Sequence, residues 1–173
     1  MIIHFTAPDL GRLDELRTEA ICLPIFEDQR PVRGALSLVD WRLCGGISRL
    51  LESGILTGKW GERALIPSRG KLSMEKIFLY GAGPRGELDD GRFRSAVAEM
   101  FRTLRLAKVR ESAWSLPGVP SLPTAARAME LFLAESRDED FQDELILIES
   151  SSSQRKMIPV LERERRKAQA ERV

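Results

Sequence analysis

Apolar positions follow two alternating rhythms along this chain. Short, nearly continuous apolar runs occur at Ile2 to Thr6, Ala20 to Phe26, Glu62 to Pro67, Ile77 to Tyr80, Ser112 to Leu116 and Leu145 to Ile148. Runs of this length, rich in β-branched and aromatic residues, read as strands, and the unbroken ones as strands buried on both faces. Between them the spacing changes to that of helices. Leu10, Leu13 and Leu16 form one brief helical face. Leu36, Val39, Leu43, Ile47, Leu50 and Leu51 form another, over Ala35 to Ser53. Phe93, Val97, Met100, Phe101 and Leu104 mark a helix from about Asp89 to Lys108, the cleanest in the chain. A further helix opens on Pro123 and carries Ala126, Met129, Leu131, Phe132 and Leu133 to about Glu135. In the last one, Met157, Val160 and Leu161 face inward behind a cap formed by Ser150 to Ser153. Strands alternating with helices imply an α/β sandwich around a mostly parallel sheet, with Ile77 to Tyr80 as its central strand. The expectation is one domain over residues 1–162. A charged helical tail, 163–173, projects or frays where the apolar pattern fades.

Glycine and proline punctuate this pattern. Pro24 cannot donate to a ladder, so a bulge or strand end is expected there. Gly45-Gly46 interrupts a helix, since each costs about 1 kcal/mol relative to alanine. Gly81-Ala-Gly-Pro-Arg-Gly86 is expected to form the turn leaving the central strand.

With 173 residues, the chain supports one substantial core. Its 27 Lys and Arg against 26 Asp and Glu leave a formal charge of +1, no global reason to bind nucleic acid or an anionic membrane. Locally, Glu130 to Glu149 holds eight acids against one arginine, and Arg155 to Arg172 seven bases against three acids. Solvated faces, able to face one another, account for both. Two cysteines suggest a reducing compartment rather than a disulfide framework. No secretory leader or membrane span is read in the sequence, so a cytoplasmic location is expected.

Little here reads as catalytic machinery. Gly81 to Gly86 spells G-x-G-x-x-G, but the helix starts too late to meet a pyrophosphate and the next strand ends without a ribose-binding acid. His4 is the only histidine, and in an N-terminal strand it reads as structural or exposed. Cys22 and Cys44 read as small buried hydrophobes. Asp138, Glu139, Asp140, Asp143 and Glu144 lack calcium-loop spacing. Trp41, Trp60 and Trp114 are too scattered to stack bases. No catalytic residue, metal ligand or cofactor is assigned.

One ordered set of residues is distinctive. Val39-Asp-Trp-Arg-Leu-Cys-Gly-Gly-Ile-Ser-Arg-Leu-Leu-Glu-Ser-Gly54 is followed by Gly58-Lys59, Gly61-Glu62, a strand ending Ile66-Pro67, and Ile77-Phe-Leu-Tyr-Gly-Ala-Gly83. This order resembles the N-terminal domain of the leucyl aminopeptidase family, over about Ala20 to Leu116 and onward to Glu149. The resemblance implies a macro-domain-like fold, a three-layer α/β/α sandwich with a mixed sheet. It also implies no peptidase activity, because the family's two-metal catalysis resides in a separate C-terminal domain whose signature does not occur here. The expected function is a stand-alone, non-catalytic module acting through a protein partner or self-association. A second expectation follows from the macro-domain relation. Gly45, Gly46, Ile47 and Ser48, with Gly81, Gly83, Ser151 and Ser152, would line a cleft for a phosphate-bearing ligand such as ADP-ribose. The Asn-Ala-Ala-Asn segment of ADP-ribose binders is replaced here by Glu27-Asp-Gln-Arg30. The resemblance also admits an accessory role, beside a metallo-aminopeptidase catalytic domain carried on another chain. Nucleic-acid binding through Arg163 to Lys167 is disfavoured by the neutral charge.

Overall fold

The computed structural model describes residues 1–121 and 123–170. Among these residues, the strands β1 (Ile2–Thr6), β2 (Ala20–Phe26), β3 (Arg63–Pro67), β4 (Lys76–Gly83), β5 (Glu111–Trp114) and β6 (Glu144–Ile148) form one sheet in the order β1-β6-β5-β2-β4-β3. Every pairing is parallel except β3 with β4. The helices are α1 (Leu10–Glu15), α2 (Ala35–Arg42), α3 (Gly46–Glu52), α4 (Asp90–Leu106), α5 (Ala125–Glu135) and α6 (Ser151–Ala170).

The doubly apolar strands explain the three layers. Successive side chains point to opposite faces. Ile21, Leu23, Ile25, Ile77 and Leu79 pack with Leu13 of α1, Val39 of α2 and Ile47 of α3. Cys22, Phe78, Tyr80, Trp114, Leu145 and Leu147 pack with Phe93 of α4, Phe132 of α5 and Met157 of α6. Burial pushes the Cys22 thiol well above its ordinary value. It pushes the Tyr80 phenol up to about 12, helped by the charge of Glu99.

Several local details differ from the sequence pattern. At Pro24 β2 runs straight on, paired with Tyr80, and the register shift falls between Ile25 and Phe26. Cys22 accepts on the β5 side, from Ser115 N–H. Pro24 faces that side too and has no N–H to give the Ser115 carbonyl, and β5 ends one residue earlier, at Trp114. Helix α5 begins at Ala125, because the Thr124 hydroxyl accepts from Arg127 N–H as the cap. Cys44 is exposed, in the turn between α2 and α3 with φ of 55°. Helix α6 continues past Glu162 to Ala170, as one helix with the core-facing part. Arg163 pairs with Glu130 at 3.1 Å, and Arg165 donates to the Ile3 carbonyl at 3.3 Å. The rest of the expected tail, 171–173, lies outside the described residues. The acidic segment turns mainly to α4 and its exit. Arg105 binds Glu139 and Asp140, and Arg110 binds Asp143.

Candidate functional site

In open α/β sheets, ligands bind beyond the carboxyl ends of the strands, where neighbouring strands send their connections to opposite faces. Here that point lies between β2, which leads to α2 on one face, and β5, which leads to α5 on the other. Side chains fill it. Leu116 is buried, and the hollow lined by Cys22, Pro24, Tyr80, Met100 and Leu116 holds about 10 Å3. That is at most the room of a single water molecule, far too little for a ligand.

The glycine loops expected to line a ligand cleft lie at opposite ends of the strands. Gly45 shares a surface hollow with Gly70 and Lys71, in the β3–β4 turn at the amino end of β4. Gly83 is the last residue of that strand, and Ser151 and Ser152 follow the carboxyl end of β6. One cleft cannot include both groups, because β4 separates them by its full length of eight residues. Sequence order could not reveal this, since α2 carries the chain back across the sheet before the glycines occur.

At the first end, Gly45 takes φ of 75° as the residue that caps the start of α3. The N–H groups of Ile47 and Ser48 point to Asp40 Oδ1 at 2.8 and 3.1 Å, and the Ser48 hydroxyl donates to Asp40 Oδ2. A carboxylate of the chain thus occupies the position that a phosphate would take. Asp40 is buried, and the signal for it in the sequence was an acid on the apolar side of its helix. Asp40→Ala is expected to lower stability by about 2 kcal/mol, by stranding those donors. An unchanged urea midpoint would refute this role.

At the other end, Gly81 and Gly83 are strand residues, not a turn. The segment Gly58–Glu62 lies along them: Gly81 N–H donates to Glu62 O at 2.7 Å, Gly61 N–H to Gly81 O at 2.9 Å, and Gly83 N–H to Gly58 O at 2.9 Å. Glu62 holds this segment by accepting from Thr57 and Gly58 N–H at 2.9 and 2.7 Å. Beside Gly83, the Arg92 guanidinium lies 5.1 Å over the Trp60 ring and pairs with Glu87 at 2.7 Å.

Ser150 caps α6, its hydroxyl accepting from Ser153 N–H at 3.1 Å. The preceding Glu149 is buried. Desolvation raises its carboxyl to about 7, against the opposing pull of Leu116 N–H. The folded state therefore keeps this proton up to about pH 7, whereas the unfolded chain releases it near 4.5. Glu149 consequently costs nothing below pH 4.5, and stability falls as pH rises through 4.5 to 7. Glu149→Gln is expected to stabilise the domain at pH 8, on the order of 2–3 kcal/mol, with the gain vanishing toward pH 4.5. Urea unfolding at both pH values tests it, and a gain independent of pH would rule out the titration.

Elsewhere, among the described residues, no group of three or more His, Cys, Asp or Glu side chains is placed to share a metal ion. No helix among them is long and apolar enough to cross a membrane. His4 is exposed, 3.8 Å from Glu144. Trp114 is buried among Phe101 and Phe132, whereas Trp41 is 63% exposed.

Three hollows that share lining residues run around the β3 edge of the sheet. The first, about 230 Å3, lies between β3 and α4 and is lined by Arg63, Leu65, Phe78, Tyr80, Met100 and Thr103. The second, about 490 Å3, shares Leu65 and continues along Pro67 to Gly70 and Lys76. The third, about 590 Å3, shares Gly70 and runs by Lys71 to Trp41. Leu65, 56% exposed, and Trp41 are their apolar anchors. The sequence offered no sign of this belt, which joins residues from β3, the following turn and α2.

Known proteins place the chain. The model of the cytosol aminopeptidase family, N-terminal domain, matches residues 22–144. A probable cytosol aminopeptidase of a Geobacter species is 32% identical over 117 residues, covering 68% of this chain and 23% of that protein. The chain therefore spans about a quarter of the length of the curated relatives it matches. A mutant tomato leucine aminopeptidase superposes with a TM-score of 0.60 at 14% identity, over 92% of this chain and 35% of that one. A Trypanosoma brucei macrodomain in complex with ADP superposes at 0.68 and 13% identity, over 92% of this chain and 67% of that one. At such identity these two structures speak for the macro-like fold alone. The matched residues, from β2 to the start of β6, include both glycine loops and β4, which lies beside the edge strand and not at the centre its apolar run suggested, and the chain belongs to the cytosol aminopeptidase family as its N-terminal domain.

Proposed function

We propose that this domain works by binding another protein, in the cytoplasm, and not by catalysis. The observation that carries this reading is the belt of hollows from Leu65 to Trp41. Large apolar side chains exposed in adjoining concavities are the usual anchors of protein interfaces. The self-capping of α3 by Asp40 and the packed switch point speak in the same direction, because neither leaves donors or space for a small ligand.

Family membership favours a more specific version, in which the partner is the catalytic part of an aminopeptidase. Purified domain should hydrolyse no aminoacyl p-nitroanilide, with or without manganese or zinc. Turnover abolished by a chelator would overturn the non-catalytic reading. Capture experiments should retain a protein partner on the wild-type domain and lose it with Trp41→Glu or Leu65→Lys. The rival is a macro-like binder of a phosphate-bearing ligand. ADP-ribose at about 100 times its dissociation constant would add roughly 2.7 kcal/mol of stability, several degrees in melting temperature. A flat thermal shift is expected, and a clear rise would replace protein binding with ligand binding.

A further inference from the structure

We propose that the free edge of β3 binds an extended, acidic segment of a partner protein, which adds to the sheet as a seventh strand. This rests on the protein-binding reading above and specifies its surface and partner chemistry. Glu62 and Ser68 bond to β4 through Gly81 and Glu75, so in this antiparallel register the even residues of β3 face β4. Arg63, Leu65 and Pro67 therefore direct their backbone groups outward, at the end of the sheet. They offer two N–H donors and three C=O acceptors in a row, Pro67 having no N–H to give. The opposite edge differs. Outward-facing Ile3 on β1 has its carbonyl covered by Arg165. An uncovered edge is a template for strand addition, and its neighbouring pockets select the side chains.

Charge decides which strand fits. Along the belt, Arg63 is paired with Glu99 and Arg42 with Asp14. Among the described residues, Arg69, Lys71 and Lys76 make no ion pair there, against a single unpaired acid, Glu75. An incoming strand places alternate side chains on one face. An apolar residue beside Leu65 would meet the hollow walled by Phe78, Met100 and Thr103. Acidic residues beyond Pro67 would reach the three cations. A second copy of this chain would instead double the unmatched positive charge.

The test is selection of a random octapeptide display library on the immobilised domain at physiological salt. The expected winners alternate apolar and acidic residues. A synthetic peptide of their consensus should lose about tenfold in affinity with Leu65→Lys, as for removal of an interface anchor. It should lose a similar amount with Arg69→Glu combined with Lys71→Glu. These residues are exposed, so melting should stay unchanged and serve as the folding control. No enrichment, winners without an acidic bias, or binding unaffected by Leu65→Lys would overturn the proposal. Peptides that bind but ignore Leu65 would leave the protein-binding reading standing, whereas no binder of any kind would count against both. A dimer abolished by Leu65→Lys in light scattering would give the edge to a second copy. A single-stranded RNA 20-mer that displaces the peptide would give it to nucleic acid.

Discussion

Gly81→Ala is expected to destabilise the domain by about 4 kcal/mol or more, or to prevent folding, although it adds one methyl group. A Cβ at Gly81 would stand 1.9 Å from the Lys59 carbonyl oxygen, 2.9 Å from Glu62 Cβ and 3.0 Å from the Gly58 carbonyl carbon. Two of these are backbone atoms, held by the hydrogen bonds that Gly81 itself exchanges with Gly61 and Glu62. No rotamer change can relieve such a contact. Either the 58–62 segment detaches, with loss of its bonds, or the end of β4 shifts away from β2. Gly86→Ala is the control, because nothing lies within 4 Å of its Cβ position. That variant should stay within about 0.5 kcal/mol of the wild type. Urea titration of the three proteins decides the matter, and a wild-type midpoint for Gly81→Ala would show that the segment does not lie as described.

The second large effect is expected at Phe132, in the core between the sheet and α4 to α6. Its ring is 5.8 Å from Trp114 in an edge-on arrangement and 5.7 Å from Phe101, and it is fully buried. Phe132→Ala should cost about 3–5 kcal/mol, from lost transfer energy and the cavity left behind. Trp114 should report the loss through its fluorescence, and Phe132→Leu should recover part of the stability. A cost under about 1 kcal/mol would mean that the aromatic cluster repacks freely, contrary to the density of such cores.

The family was legible because its residues sit in one order along the chain: the Gly-Gly helix break, Gly58-Lys59, Gly61-Glu62, and the apolar run into Gly81. The role of those glycines was less legible. Gly81 and Gly83 read as a turn, yet they are strand residues thinned to admit a neighbouring segment, because sequence spacing does not report what crosses a strand from its far side. Where the expected ligand residues lie was hidden for a related reason. Gly45, Gly46 and Ser48 suit a phosphate by type, but the Asp40 carboxylate, a few residues upstream, accepts from the N–H groups of Ile47 and Ser48. Cys44 reads as buried on an apolar helix face, but the helix ends at Arg42 and the turn directs the thiol outward.

By itself the sequence determined the alternation of strands and helices, the two buried faces of β4 and β6, and membership of the cytosol aminopeptidase family. These follow from local side-chain periodicity and from motif order, both of which are properties of neighbours along the chain. Only the tertiary structure decided which glycines are tight contacts, which helix end caps itself, that Glu149 is buried, and that Leu65, Gly70 and Trp41 lie along one surface. Those depend on distances between residues far apart in the chain, which are set by the sheet order β1-β6-β5-β2-β4-β3.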